Sequence, residues 1–299
     1  MLRYRLIFGP LLILGLVGAL LLDEILEARF GVPALVMLPM MFIVGVLGAQ
    51  ELIVMLHRRN ILVGPRITSV AVVLGMTASS FVTSELGGVS GVALVCTACV
   101  LTLLMAFLYY AMHQSAEGVA AAVSGTLLAF VYLGLMGGFL VVLRKEHSVW
   151  LVAGILLVTK SYDIGAYFTG RLIGRHKLIL WLSPGKTWEG LFGGLATSTL
   201  IAVLAVWACN KTGVIDGVAP GLQVNLWQAA IIGLLFGLFG QGGDLVASRI
   251  KRDAGMKDSS RTLPGFGGVL DVIDSPLVVA PVAYWAFYVL AVFSETGTA

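Results

Sequence analysis

The stretch WQAAIIGLLFGLFGQGGDLVASRIKR, residues 227–252, decides what kind of molecule this is. From 227 to 247 it is almost wholly apolar, with Gln228, Gln241 and Asp244 as its polar side chains. A helix needs about 20 such residues to cross ~30 Å of hydrocarbon. Arg249, Lys251 and Arg252 close the run, as long basic side chains do where a helix meets a membrane surface. The stretch therefore reads as a membrane span that carries an acid within its length. A lone charge at that depth is unfavourable, so Asp244 is expected to have a partner or a task.

Eight further runs resemble it, at about 6–22, 33–56, 67–84, 89–112, 119–143, 149–169, 190–209 and 276–293. Hydrophobic residues make up 59% of the chain and charged ones 12%, with a mean hydropathy of +0.98. A soluble domain carries about 25% charged residues. Lipid must be the solvent for much of this surface. The 37 glycines suit helices that approach closely in lipid. The fold expected is an all-α, polytopic integral membrane protein of about nine transmembrane helices, one membrane domain over 1–299. Arg3 and Arg5 ahead of the first run resemble a signal peptide, but Asp23, Glu24 and Glu27 follow with no small-x-small cleavage site. It is read as a retained span. Cys96, Cys99 and Cys209 lie in apolar runs, and nothing completes a zinc site around them.

Orientation follows from the basic residues. With the N-terminus cytoplasmic, fourteen fall on the cytoplasmic side: Arg3, Arg5, Arg58, Arg59, Arg66, Arg171, Arg175, Lys177, Lys186, Arg249, Lys251, Arg252, Lys257 and Arg261. Four fall opposite, Arg29, Arg144, Lys145 and Lys211, and Lys160 lies inside a span. Two long cytoplasmic loops, about 170–189 and 248–275, carry most of the polar chemistry. Residues 1–148 hold almost no intramembrane charge and read as scaffold; 149–299 read as the catalytic part.

Four features lie there. Lys160 and Asp163 are one helical turn apart, either a neutralised structural pair or a functional one, with Ser161, Tyr162 and Tyr167 beside them. Ser183-Pro184-Gly185-Lys186-Thr187-Trp188-Glu189-Gly190 contains G-K-T, yet a P-loop needs glycine where Leu180 stands. The segment reads instead as a helix start with a capping hydroxyl, and a helix start is also an anion site. Asp244, Ser248 and Lys251 or Arg252 share one helical stripe, suited to a metal ion and the phosphate it bridges. Finally Lys257-Asp258 and the turn Leu263-Pro264-Gly265-Phe266-Gly267-Gly268 lead to Asp271 and Asp274. The turn would return both acids toward Asp244. A hard divalent cation, Mg²⁺, would relieve their repulsion. Alternatively the two acids decorate the first turn of the last helix.

These residues resemble the signature of the phosphatidate cytidylyltransferase (CDP-diacylglycerol synthase) family. The resemblance runs from Ser248 through Lys251-Arg252, Lys257-Asp258, Pro264-Gly265, Gly267-Gly268, Asp271 and Asp274. Upstream, Asp163, Ala166-Tyr167, Gly170 and the S-P-x-K-T-W-E-G segment at 183–190 are similar to that family's other motifs, so about 150–280 is covered. Phe266 stands where the family usually has His, Val272 where it usually has Arg, and Gly185 where Lys is frequent. The resemblance implies a multi-pass helical bundle, commonly a homodimer, in a bacterial cytoplasmic membrane, with a cavity open to cytoplasm and lipid. It implies the reaction of CTP with phosphatidate to give CDP-diacylglycerol and pyrophosphate, with no nucleic-acid partner.

On that footing Asp244, Ser248, Lys251, Arg252, Lys257, Asp258 and Asp271 are the expected catalytic residues. Asp163, Tyr167, Ser183, Lys186, Thr187, Glu189 and Arg261 are expected to bind substrate. Asp244, Asp271 and Asp274 are expected to hold Mg²⁺, with a second, monovalent cation such as K⁺ admitted. The lipid's own phosphate oxygen is the nucleophile, so no Ser–His pair is required, and catalysis becomes positioning and charge neutralisation. Three rivals remain: a secondary transporter, a CTP-dependent lipid or polyprenol kinase, and a catalytically degenerate member. A CDP-alcohol phosphotransferase is disfavoured, because its D-G-x-x-A-R opening is missing.

Overall fold

The computed structural model describes residues 2–83, 85–86, 89–112, 117–213 and 224–295, with side chains throughout except at 2–7, 85–86 and 293–295. Arg3 and Arg5 lie outside the described side chains, and residue 84, the end of the third expected span, lies outside the described residues. Helices account for most of it: α1 (Leu2–Phe30), α2 (Met37–His57), α3 (Pro65–Ser79), α4 (Gly91–Ala111) and α5 (Val119–Ala129). A π-helical turn, Phe130–Leu135, joins α5 to α6 (Met136–Glu146). Then come α7 (Val149–Leu172), α8 (Trp188–Thr212), α9 (Leu226–Asp253) and α10 (Leu270–Glu295). Among the described residues seven helical rods are long and apolar enough to cross a membrane: α2, α4, the continuous Val119–Glu146 rod, α7, α8, α9 and α10. The expected all-α polytopic membrane fold is the one observed.

The chain divides into two compact units, Met1–Val142 with Ile250–Ile273, and Leu143–Arg249 with Asp274–Ala299. The divisions fall within α6, α9 and α10.

In the first unit, local chemistry explains where helices begin and stop. Asp23 is fully buried near the end of α1 and accepts hydrogen bonds from Val36 N (2.6 Å) and Met37 N (3.1 Å), so it satisfies free donors at the start of α2. Pro65 opens α3, where its missing N–H has no intrahelical task. The third expected span, 67–84, proves shorter. Helix α3 ends at Ser79, and its 15 residues reach only about 22 Å. Ser79 Oγ donates to Gly75 O (2.9 Å) and Ser80 Oγ to Thr77 O (2.8 Å), hydroxyls that compete with the backbone where the helix stops. Beyond it, β1 (Glu85–Leu86) and β2 (Val89–Ser90) pair antiparallel, and Ser90 caps α4 by accepting from Ala93 N.

In the second unit, α7 and α8 lie side by side because small residues face hydroxyls: Gly165 sits against Thr197, and Gly193 against Thr169. Between these helices the chain forms an antiparallel hairpin, β3 (Lys177–Ile179) with β4 (Ser183–Thr187), in the register Lys177 with Thr187 and Ile179 with Ser183. Residues 183–186, expected as a helix start, are therefore strand. The helix begins at Trp188, and Thr187 is its cap, Oγ1 accepting from Gly190 N at 3.1 Å.

Candidate active site

In the second unit the polar side chains predicted from sequence gather on α7, β4 and α9. Lys160 Nζ lies 3.2 Å from Asp163 Oδ2 on α7, so the one-turn pair expected there is formed. Lys186, the fourth residue of β4, places its Nζ 2.7 Å from Asp244 Oδ2 on α9. That approach lacks hydrogen-bond geometry, which makes it a charge contact. Ser248, one turn beyond Asp244, donates to Asp244 Oδ1 at 3.3 Å, as the helical stripe predicted. Asp163 lies within the fields of Lys160, Lys186 and Asp244 together. Two carboxylates, two ammonium groups and a hydroxyl thus form one cluster. Only 31% of the Asp244 side chain and 20% of the Lys186 side chain are exposed, so neither charge is fully screened by solvent.

The hairpin is tied down at its base. His176 Nδ1 lies 2.6 Å from Glu189 Oε1, and Glu189 also accepts from His176 N. Trp188 N donates to His176 O. Thr187 and Glu189, both expected to bind substrate, here fix the strand-to-helix corner that presents Lys186. Ser183 pairs with Ile179 in the hairpin, and Tyr167 is exposed, its hydroxyl accepting from Arg171 Nη1 at 2.7 Å. Asp274 is buried and accepts from Ser275 N and Oγ. Its carbonyl touches Gly243 so closely that a β-carbon at 243 would collide with it. The last helix thus does return to α9 beside Asp244.

The first unit holds a second cluster around Asp271. Lys251 Nζ donates to Asp271 Oδ1 at 2.5 Å, and only 10% and 9% of the two side chains are exposed. Asp271 Oδ2 accepts three hydrogen bonds, from Ser259 N (2.8 Å), Ser259 Oγ (2.8 Å) and Gly268 N (2.9 Å). Gly267 turns the chain at φ +96°, and a β-carbon on it would strike Asp271 Oδ2. The glycine pair read as a tight return thus lets the loop wrap the carboxylate. Arg252 is exposed on the last turn of α9 and donates to Met256 O. Lys257, Asp258 and Arg261 are exposed on the loop that follows. Phe266 lays its ring toward Gly9 of α1, where an added β-carbon would be 3.4 Å from Cζ.

Sequence reasoning missed Glu51 of α2. It is buried, and each of its oxygens takes two donors: Ser259 Oγ (2.8 Å) and Leu270 N (2.9 Å) on Oε2, Ser260 Oγ (2.7 Å) and Val269 N (2.9 Å) on Oε1. A signal was available. Glu51 is an acid inside an apolar run, the same anomaly that singled out Asp244. Within neither unit do the described residues bring three His, Cys, Asp or Glu side chains into a group that could hold a metal ion.

The described residues of this all-helical membrane fold thus include three lysine–aspartate pairs, Lys160–Asp163, Lys186–Asp244 and Lys251–Asp271. The comparisons with known proteins specify its class. A model of the cytidylyltransferase family matches residues 4–290, and this chain belongs to that family. It is 39% identical over 145 residues to a phosphatidate cytidylyltransferase of Haemophilus influenzae, covering 48% of each chain. It is 37% identical over 155 residues to one of Staphylococcus epidermidis, covering 52% of this chain and 55% of that one. An Escherichia coli protein named uncharacterized protein YnbB is 39% identical over 164 residues, 50% of this chain and 51% of the other. The chain spans about half the length of the curated relatives it matches.

Proposed function

We propose that this protein transfers the cytidylyl group of CTP to phosphatidate, giving CDP-diacylglycerol and pyrophosphate. The relatives named phosphatidate cytidylyltransferase support the reaction class, and one observation carries the chemistry. Asp244 and Asp271, both expected as catalytic and metal-holding acids, each have a lysine against them, Lys186 and Lys251 respectively.

In the reaction a phosphate oxygen of phosphatidate attacks the α-phosphorus of CTP. A new P–O–P bond forms, the bond between the α- and β-phosphates breaks, and pyrophosphate leaves with the electron pair. The nucleophile is already anionic, so the protein's work is to bring anions together and stabilise the charge moving onto the leaving group. Lys186 and Lys251 are suited to it: each is pre-placed by a carboxylate and can turn its ammonium to a phosphate oxygen. Lys160, held by Asp163, adds a third cation in the second unit. Arg252, Lys257 and Arg261, exposed around the loop, are placed to attract the nucleotide.

Mg²⁺ belongs to the same proposal. The oxygen donors of Asp244 and Ser248 suit it, since Mg²⁺ keeps several waters and takes one or two carboxylates with substrate phosphates rather than a protein cage. Among the described residues Asp244 Oδ1 carries only the 3.3 Å bond from Ser248, whereas Asp271 and Asp274 have more of their capacity engaged. When bound, the ion would neutralise polyphosphate charge. A second, monovalent cation is left to titration of the same assay. We further propose that both polar loops face the cytoplasm, where CTP is found, and that the protein is a homodimer, to be read from its mass in detergent.

The test is pyrophosphate release by purified protein with CTP, phosphatidate and Mg²⁺. Release that needs all three supports the reading. Release of CDP instead of pyrophosphate would replace it with a lipid kinase, and no release from folded protein would leave a binding or regulatory member of the family.

A further inference from the structure

Glu51 is a buried acid that the reaction above leaves unused. We propose that it is a positioning residue for the Lys251–Asp271 pair, acting through Ser259 and the first turn of α10. The proposal rests on the reading that Lys251 and Asp271 serve cytidylyl transfer.

Four donors converge on this one carboxylate, and they come from both ends of the loop between α9 and α10. Ser259 and Ser260 lie early in the loop; Val269 and Leu270 are where α10 starts. Glu51 therefore pins the loop at two points and so sets the path of the chain between them. That path carries the Asp271 contacts, since Ser259 N, Ser259 Oγ and Gly268 N all bond Asp271 Oδ2. Ser259 Oγ is shared, lying 2.8 Å from Glu51 Oε2 and 2.8 Å from Asp271 Oδ2. Its one proton serves one acceptor at a time. A shift at Glu51 thus reaches Asp271 through a single atom. Gly268 has no room for a side chain, because a β-carbon there would collide with Ser259 Oγ and both Glu51 oxygens.

The chemistry calls for a carboxylate rather than any polar group. Each oxygen faces one backbone N–H, a donor that cannot reverse its direction. Glutamine is isosteric, but its NH₂ must then face either Val269 N or Leu270 N, donor against donor. A residue that merely filled the core would be indifferent to that exchange.

The experiment compares Glu51→Gln and Glu51→Asp with wild type in detergent, by steady-state kinetics, thermal melting and hydrogen–deuterium exchange. With Glu51→Gln, kcat should fall about 10- to 100-fold, the usual cost of losing a partner that orients a site residue. The KM for CTP should change less, and exchange should quicken about five- to tenfold in peptides spanning 259–273, as for the loss of one hydrogen bond. Glu51→Asp keeps both acceptors and should recover part of kcat. Wild-type kcat in Glu51→Gln overturns the proposal. So does a loss of activity that tracks a general loss of melting temperature and is not relieved by Asp. Should wild type itself release no pyrophosphate, the functional reading fails, and exchange decides the remainder: faster exchange confined to 259–273 keeps the clamp, and unchanged exchange removes it.

Discussion

Asp244 and Asp271 are both matched to a lysine, but their surroundings differ. Asp244 has one charge contact and a long hydroxyl bond and is partly open, whereas Asp271 has four close donors and is nearly enclosed. Substituting Asp244 should therefore disturb function more than folding. Asp244→Asn is expected to lower kcat about 100-fold or more, as when a charge-stabilising group is deleted from an active site. A partly exposed pair is worth at most about 1 kcal/mol, so the melting temperature should move by no more than about 4 °C. Pyrophosphate assays beside thermal melts check both, and normal turnover would sink the role given to Asp244. Phe266 supports a second expectation. Its ring lies toward Gly9, with Cζ at the far edge of the ring the nearest atom. That places the ring against α1, so Phe266→His should retain pyrophosphate release; complete loss would show that the site has been rebuilt around the phenyl ring. At this scale the sequence was legible where partners are one turn apart, as in Lys160 with Asp163 and Asp244 with Ser248. Partners from distant parts of the chain, such as Lys186 of β4 for Asp244 and Ser259 of the α9–α10 loop for Glu51, leave no local pattern.

Among the elements, the corner between β4 and α8 joins a structural device to a side chain proposed to bind substrate. Thr187 is buried and caps α8, and Lys186 directly precedes it. Thr187→Val removes the cap's acceptor and should cost about 1 kcal/mol, or roughly 2–4 °C in melting temperature. Thr187→Ser restores the oxygen and should melt near wild type. If Val and Ser melt alike, the hydroxyl does not hold the corner. That a Ser or Thr hydroxyl would cap this helix, with Glu189 in its first turn, was readable in the sequence; that the cap is Thr187 was not. Nor was the strand ahead of it. Ser183-Pro184-Gly185-Lys186 has as much turn character as strand character, and pairing with Lys177–Ile179 decides the matter from outside the segment. The third span misled for the opposite reason. Its apolar residues continue to about residue 84, while Ser79 and Ser80 stop the helix through hydroxyl bonds that hydropathy does not register.

For the molecule as a whole, apolar length showed that the chain lives in lipid, but not that Ile250–Ile273 packs in one unit with the N-terminal helices. Contacts such as Glu51 to Leu270 are specified by three-dimensional fit. Orientation, by contrast, rests on charge bias, and it can be tested on two residues that bracket one span. Lys211 lies at the end of α8, its ammonium 4.8 Å from the Trp207 ring, and Lys257 lies in the exposed loop after α9. Helix α9 runs between them and is long and apolar enough to cross the membrane, so the two should lie on opposite sides. The excess of Arg and Lys around 249–261 predicts that Lys257 lies on the cytoplasmic side. With Cys96, Cys99 and Cys209 replaced by alanine, a membrane-impermeant maleimide should label Lys211→Cys in intact cells and Lys257→Cys only in inverted vesicles. The reverse pattern would put the lysine–aspartate chemistry on the side without CTP and would count against cytidylyl transfer as well as orientation. Labelling of both from one side would mean that α9 does not span, and the reading of Asp244 as an acid within a membrane span would fail with it.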